Sequence, residues 1–402
     1  MFEATPLNPP DAIFGLNEEF KQDSNPDKIN LTVGMYQDEA GQTPIMKCVH
    51  QAETILVEKA GSHVYLPISG MVEYNHQIPK LILGSEHSAI AEGRILSAQT
   101  PGGTGALRVA GELLKRNFNL SEIWISNPTW ANHNNIFPAA GLEIRTYQYL
   151  DQQGNGFDFE AMMESISAIP AHSAILLHTV CHNPTGVDPT VEQWAQILQV
   201  IRDRELMPVF DFAYQGFGES IDADAHPIRA FCTDQAEALI CSSFSKNFNL
   251  YGERVGAISA VAKSASSANA VMSQIKKIIR TVYSNPPMHG AAIVSTVFSD
   301  PQLQQQWLDE LDAIRVRIGE LRKMFVEAMS LRMPNSDFGF MQNQRGMFSY
   351  SGLSGEVADR LKKEHSIYLL RSGRINVAGI NSNNLPRLCD AIAKVLEQKK
   401  AG

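Results

Sequence analysis

The chain has 402 residues, 44% hydrophobic and 19% charged, the composition of a soluble globular protein with room for a large core and two domains. Its 34 basic and 43 acidic residues leave a net charge of −9, which argues against nucleic acid as a partner. The five cysteines are odd in number and include no C-x-x-C pair, which argues against a disulfide framework or a zinc site and for reduced thiols in the cytoplasm. The opening MFEATPLNPPDAIF has no cationic start and no long apolar stretch, so it does not read as a signal peptide. No apolar run approaches the ~20 residues of a membrane span. The prolines of the first dozen residues predict an extended arm. Beyond residue 90, short apolar runs alternate with amphipathic helical patterns. Buried strands are predicted at 122–128, 172–180, 206–214, 238–245 and 255–262, and helices at 105–117 and 191–205. This alternation predicts a largely parallel sheet covered on both faces, with ligands beyond the carboxyl ends of its strands. A long helical region near 300–332 leads into a smaller α/β unit, and the basic run 276–280 reads as one face of a helix.

The stretch SSFSKNFNLYGERVGAIS (242–259) gathers Ser243, Ser245, Lys246 and Arg254 between two apolar runs. A lysine can form an imine with an aldehyde, and serine and arginine can hold a phosphate. Together they suit a phosphorylated aldehyde such as pyridoxal phosphate (PLP), which also needs a charged partner at its ring nitrogen. Asp211, in PVFDFAYQGFGES, is the candidate partner, because an unpaired carboxylate at the end of a buried strand is costly. An exposed loop lysine and a structural salt bridge are the plainer readings of these two residues. GGTGAL (102–107) opens a helical pattern where backbone N–H groups can meet a phosphate. Arg108 stands where a dinucleotide fingerprint needs its last glycine, and no G-K-[ST] follows. His133 and His178 could hold the Asp211 carboxylate from behind, Tyr214 and Asn183 could bond a ring hydroxyl, and Trp130 could stack on a ring. No metal site is predicted.

In order, NLTVGMY, VYLPISG, GGTGAL, NPTWANH, CHNPTG, DFAYQGFG, SFSKNFNLYGERVG, YSNPP, NQRGMFSY and SGRINVAG resemble the class I aspartate/aromatic aminotransferases, which are fold type I PLP enzymes. The resemblance covers nearly the whole chain. It implies an α/β fold with a large domain (45–313) on a mostly parallel seven-stranded sheet flanked by helices. A smaller α/β domain (14–44 and 314–402) and an N-terminal arm (1–13) complete it. The resemblance makes Lys246 the imine lysine and proton shuttle, Asp211 the pyridinium partner, Tyr214 and Asn183 the ring-hydroxyl pair and Trp130 the stacking ring. Gly103, Thr104, Ser243 and Arg254 become phosphate ligands, with Tyr65 reaching the phosphate of a neighbouring subunit. Arg374 would grip the substrate α-carboxylate, Arg280 the distal carboxylate across a dimer interface, and Gly34 would lie over the substrate. Gly102 stands where aspartate-specific members carry a serine, and Pro67 and Gly252 look like aromatic-type positions.

The implied activity is ping-pong transamination between an aromatic amino acid and 2-oxoglutarate, with activity on aspartate, by a cytoplasmic homodimer with shared active sites. An aspartate-preferring enzyme is the alternative, followed by another PLP chemistry such as a β-lyase or decarboxylase. A nicotinamide dehydrogenase is disfavoured by the broken glycine pattern. A non-enzymatic regulator on this fold would need a DNA-binding segment, and none is read before residue 14.

Overall fold

Seven segments rich in β-branched, aromatic and small residues form one sheet: β1 (Ile95–Pro101), β2 (Glu122–Asn127), β3 (Glu143–Gln148), β4 (Ala174–His178), β5 (Met207–Phe212), β6 (Ala238–Ser243) and β7 (Val255–Val261). The computed structural model describes residues 1–402 except 10, 12, 60, 152, 153, 155, 234 and 402, and omits the side chains of 399–401. Strand order is β1-β7-β6-β5-β4-β2-β3. Every neighbouring pair is parallel except those made by β7, which runs antiparallel to both β1 and β6. The central strands are apolar on both faces. Ile175 and Leu177, Phe210 and Phe212, and Ile240 point into one core layer, whereas Leu176, Val209, Leu239 and Cys241 point into the other. This is the pattern of a sheet sandwiched between helices, as the uninterrupted apolar runs predict.

The second layer is closed by α1 (Gly102–Asn117) and α2 (Ala265–Val282). Leu107, Leu113 and Leu114 of α1 and Ile275, Ile278 and Ile279 of α2 face the sheet at helical spacing. Lys276, Lys277 and Arg280 point outward, so the basic run is one solvated helix face. At the far edge of the sheet, β3 is flanked by charge: Arg145 pairs with Glu122 at 3.0 Å and Glu143 at 3.1 Å. Such an edge resists pairing with a foreign strand.

Both ends of the chain meet beside this sheet. Ile29–Asn30 pairs in parallel with Ile367–Tyr368, and Phe348–Tyr350 pairs antiparallel with Arg374–Asn376. The 32-residue helix α3 (Pro301–Arg332) runs unbroken from the sheet side to this smaller unit, so the expected boundary at 313/314 falls inside a helix. At the start of the chain, residues 1–9 are exposed, with one 3-10 turn at Phe2–Ala4. Positions 10 and 12 of the expected arm lie outside the described residues. All five cysteines are free and buried. Among the described residues no helix is long and apolar enough to cross a membrane.

Trp307 of α3 is fully buried, stacks on Phe248 with ring centroids 4.9 Å apart, and donates from Nε1 to the Asn247 carbonyl at 2.7 Å. Asn247 follows Lys246, so this one side chain ties the long helix to the lysine turn. Trp307→Ala should lower stability by about 3–5 kcal/mol through cavity formation, read as a lower urea midpoint with an unchanged m-value. Trp307→Phe, which keeps a stacking ring, should cost less.

Candidate active site

Register places the chemistry. His178 pairs with Asp211, Phe212 with Ser242, Ser243 with Gly256 and Pro101 with Val255. The ends of β1, β4, β5 and β6, with the start of β7, therefore lie along one edge of the sheet. Asp211 and Ser243 are carried there by the strands, Gly102 and Arg254 by the residues adjoining β1 and β7, and Tyr214, Asn183 and Lys246 by the turns that follow.

On the anion side, α1 begins at Gly102 without a side-chain cap, leaving its first-turn N–H groups free of intrahelical partners. Gly103 and Thr104 lie in this turn. Gly102 has φ +71, a conformation that favours glycine, and a Cβ there would lie 2.5 Å from Arg254 Nη2, so a side chain would have to move the end of the arginine. A Cβ on Gly103 would meet Ser243 Cβ at 3.2 Å. The Ser243 hydroxyl lies 3.3 Å from that of Ser245, which accepts from Arg254 Nη1 at 3.2 Å. Helix N-terminus, two hydroxyls and a guanidinium thus enclose a cradle suited to a phosphate.

On the opposite side, Asp211 Oδ2 lies 3.1 Å from His133 Nε2 and 3.8 Å from His178 Nε2. A carboxylate can only accept, so in the neutral ring Nε2 of His133 carries the proton and Nδ1 accepts from the Thr129 hydroxyl at 2.9 Å. Burial pushes His178 down to about 3, so at neutral pH it offers Asp211 a ring dipole and not a charge. Burial raises the Asp211 carboxyl, but the His133 hydrogen bond and the Lys246 charge outweigh it, and Asp211 stays below its ordinary value. Lys246 is only partly exposed and lies 4.8 Å from the centre of the Tyr214 ring. Burial pushes its amine down to about 8 against the pull of Asp211, with Arg254 and Arg374 adding to the depression. The buried Tyr214 hydroxyl is itself raised by burial. Trp130 stands with its ring edge-on to His133, centroids 5.3 Å apart.

Arg374 closes the far end. Its guanidinium lies 4.0 Å from the centre of the Phe348 ring and donates to Asn183 Oδ1 at 3.4 Å and to the Thr32 carbonyl. Its Nε is buried without a partner, which leaves a donor for an incoming acceptor. Burial lowers it to about 10, still cationic at neutral pH. Gly34 crosses the same ring so closely that a Cβ would lie 2.4 Å from Phe348 Cζ. The fit to pyridoxal phosphate therefore stands on the glycine-lined cradle, the buried ionised Asp211, the depressed Lys246 amine and the unpaired Arg374 donor.

Two expected residues are not in this cluster. Tyr65 is 92% exposed, and Arg280, in the last turn of α2, is exposed and donates to the Ser284 hydroxyl. They share a face nonetheless, because Asn285 Nδ2 donates to the Leu66 carbonyl at 3.0 Å. Thr129 and Phe348 touch this cluster although sequence reasoning gave them no role there. Thr129 had a signal only in its place four residues before His133, in the turn ahead of the helix His133–Ala139. Phe348 had none, since its contacts with Gly34 and Arg374 join distant parts of the chain.

Comparisons with known proteins identify the family. Residues 26–392 match the model of the aminotransferase class I and II family. The aspartate aminotransferase of Haemophilus influenzae is 48% identical over 396 residues, 98% of this chain and all of that protein. The aromatic-amino-acid aminotransferase of Escherichia coli is 43% identical over 397 residues, with 98% and 100% covered. The aromatic-amino-acid aminotransferase of Burkholderia pseudomallei, solved covalently bound to pyridoxal phosphate, superposes with a TM-score of 0.95 at 45% identity, covering 98% of this chain and 99% of that one.

The depressed amine gives a pH signature in the cofactor-free protein. Below about pH 8 Lys246 is protonated and unreactive, and above it the amine is free. Its rate of labelling by an amine-selective reagent, followed by peptide mass spectrometry, should be half-maximal near pH 8. Asp211→Asn removes the group that raises this pKa, so the midpoint should move lower. A wild-type midpoint at the ordinary lysine value of 10.5 would contradict the burial argument.

Proposed function

The chain belongs to the class I and II aminotransferase family, and from that premise we propose that the cluster around Lys246 is its active site. The enzyme is a PLP-dependent aminotransferase. Its substrates are aromatic amino acids and aspartate, with 2-oxoglutarate as amino acceptor. The observation that carries the site assignment is the pairing of a buried, ionised Asp211 with a depressed Lys246 amine beside a glycine-lined anion cradle.

Ser243, Ser245, Arg254 and the first turn of α1, with Gly103 and Thr104, would hold the phosphate. Asp211, backed by His133, would keep the ring nitrogen protonated. Tyr214 and Asn183 would hold the ring hydroxyl, and Trp130 a ring face. Bound pyridoxal phosphate supplies an electron sink for the bond broken at the substrate α-carbon. Arg374 fixes the substrate α-carboxylate with a planar two-bond fork. Lys246 Nζ then takes the proton from the substrate α-carbon and returns it, a role for which an amine poised near neutral pH is suited. Gly34 and Phe348 cover the carboxylate end and exclude water. Residues 14–44 and 314–402 act as the smaller domain beside the larger one, 45–313.

A homodimer with shared sites is the assembly we infer. Val64, Tyr65 and Ile68, near Leu66, which Asn285 ties to the chain just past α2, and Val282 at the end of α2 are large apolar residues left exposed. Such a patch fits a surface covered by a second copy. Tyr65 then reaches the second copy's phosphate cradle, and Arg280 its distal substrate carboxylate. With reduced thiols, the cytoplasm is the fitting compartment.

Two experiments test these assignments. In single half-reactions Arg280→Leu should cost aspartate about a hundredfold in kcat/KM, the worth of two charge-assisted hydrogen bonds at roughly 1.5 kcal/mol each. Phenylalanine should lose far less, because its ring offers Arg280 no charge. Equal losses would show that the distal carboxylate is read elsewhere. In the second, inactive Arg280→Ala and Arg374→Ala chains refolded together should regain activity, since one of the two sites in each hybrid is complete. Hybrids that form and remain inactive would rule out shared sites.

A further inference from the structure

We propose that Tyr251 is a positioning residue that ties the phosphate cradle to the backbone segment lying over the carboxylate end of the substrate. The proposal rests on the active-site reading above and adds to it a residue and a route of coupling. Tyr251 lies in the turn between Lys246 and β7. Its hydroxyl accepts from the Tyr36 backbone N–H at 2.9 Å and donates to Asn249 Oδ1 at 3.4 Å. Asn249 Nδ2 donates in turn to the Pro44 carbonyl at 3.2 Å. The Tyr251 carbonyl accepts from Arg254 Nη1 at 3.4 Å, the same nitrogen that donates to Ser245 in the cradle at 3.2 Å. One side chain thus holds the segment 36–44 on one side and, through its own backbone, the cradle arginine on the other.

The rest of this segment is tied to the smaller unit, with the Gln37 N–H on the Ala378 carbonyl at 3.2 Å and Asn376 Nδ2 on the Val33 and Met35 carbonyls at 2.8 Å, so Tyr251 supplies its tie to the lysine turn. Tyr36 is 6% exposed and lies outside every helix and strand, so its N–H depends on a side-chain acceptor. Two residues earlier, Gly34 crosses the Phe348 ring against which Arg374 packs. The anchoring turn is itself shaped by contacts: Asn249 and Arg254 are left-handed, with φ +52 and +55. Non-glycine residues hold that conformation only where the surroundings impose it. A phenylalanine would fill the volume of Tyr251 equally well, so the hydroxyl is explained by the bond it makes and not by packing.

The test is Tyr251→Phe in the PLP-loaded enzyme. Hydrogen exchange at the Tyr36 amide should speed up at least about tenfold, because its one acceptor is gone. KM for phenylalanine, aspartate and 2-oxoglutarate should each rise about tenfold, equivalent to 1.4 kcal/mol. The rise is common to all three because the segment lies over the part all substrates share. PLP affinity, the bound-cofactor spectrum and kcat should stay close to wild type. Asn249→Gly, which keeps the left-handed backbone and removes the second tie, should move exchange and KM in the same direction and serves if Tyr251→Phe does not fold. Unchanged exchange and KM would overturn the proposal, as would a KM rise for one substrate alone or a loss of PLP affinity in step with KM. Wild-type protein without transaminase activity would instead sink the functional reading, while the exchange experiment would still report on the tie.

Discussion

The site depends on keeping two opposite charges ionised at neighbouring strand ends inside an apolar sandwich. Asp211 and Lys246 both lose water by being there, and burial alone would neutralise each. The carboxylate survives because His133 donates to it and Lys246 attracts it. The amine keeps its charge only loosely, because burial brings the loss of its proton down to about pH 8. Much of the surrounding architecture serves that balance. Thr129 fixes the His133 ring, Trp307 pins the lysine turn to α3, and the register of five strands brings these groups to one edge.

The sheet edge also explains why the site is polar at both ends and tight in the middle. The anion cradle at α1 and the guanidinium of Arg374 are cationic poles, with Lys246, Asp211 and Tyr214 between them. Gly102 and Gly34 are the places where backbone must come closest to another group, at either pole. A side chain at Gly34 would meet the Phe348 ring, and one at Gly102 would push the end of Arg254 aside.

Much of this was legible in the chain. The five apolar runs from residue 122 onward became β2, β4, β5, β6 and β7, each within a few residues, because strands buried on both faces leave uninterrupted apolar stretches. The cradle and the Lys246–Asp211 pair were legible because their residue types are costly to bury without a purpose. Strand β3 was not, since EIRTYQ sits at a charged edge and shows no apolar run. The helix Val72–Leu83 carries Pro79 inside it, which reads as a break. The two- and three-residue strands of the smaller unit are fixed by pairing between residues over 300 apart in one case and across the intervening helix Gly355–His365 in the other. The ties of Tyr251 and Phe348 are likewise tertiary, and no local spacing encodes them.

The buried thiols bear on chemical selectivity. An aldehyde attracts any soft nucleophile, and two cysteines lie close to this site: Cys241 pairs in register with Asp211, and Cys181 precedes His182. Burial drives both thiols well above their ordinary range, and the nearby carboxylates Asp211 and Asp188 push them further. Thiolate, the reactive form, is therefore scarce where it would compete. The protein does not clear sulfur away from its electrophile. It leaves sulfur in place, protonated and inert, so that on the proposed reading Lys246 meets the cofactor aldehyde without a competing thiolate.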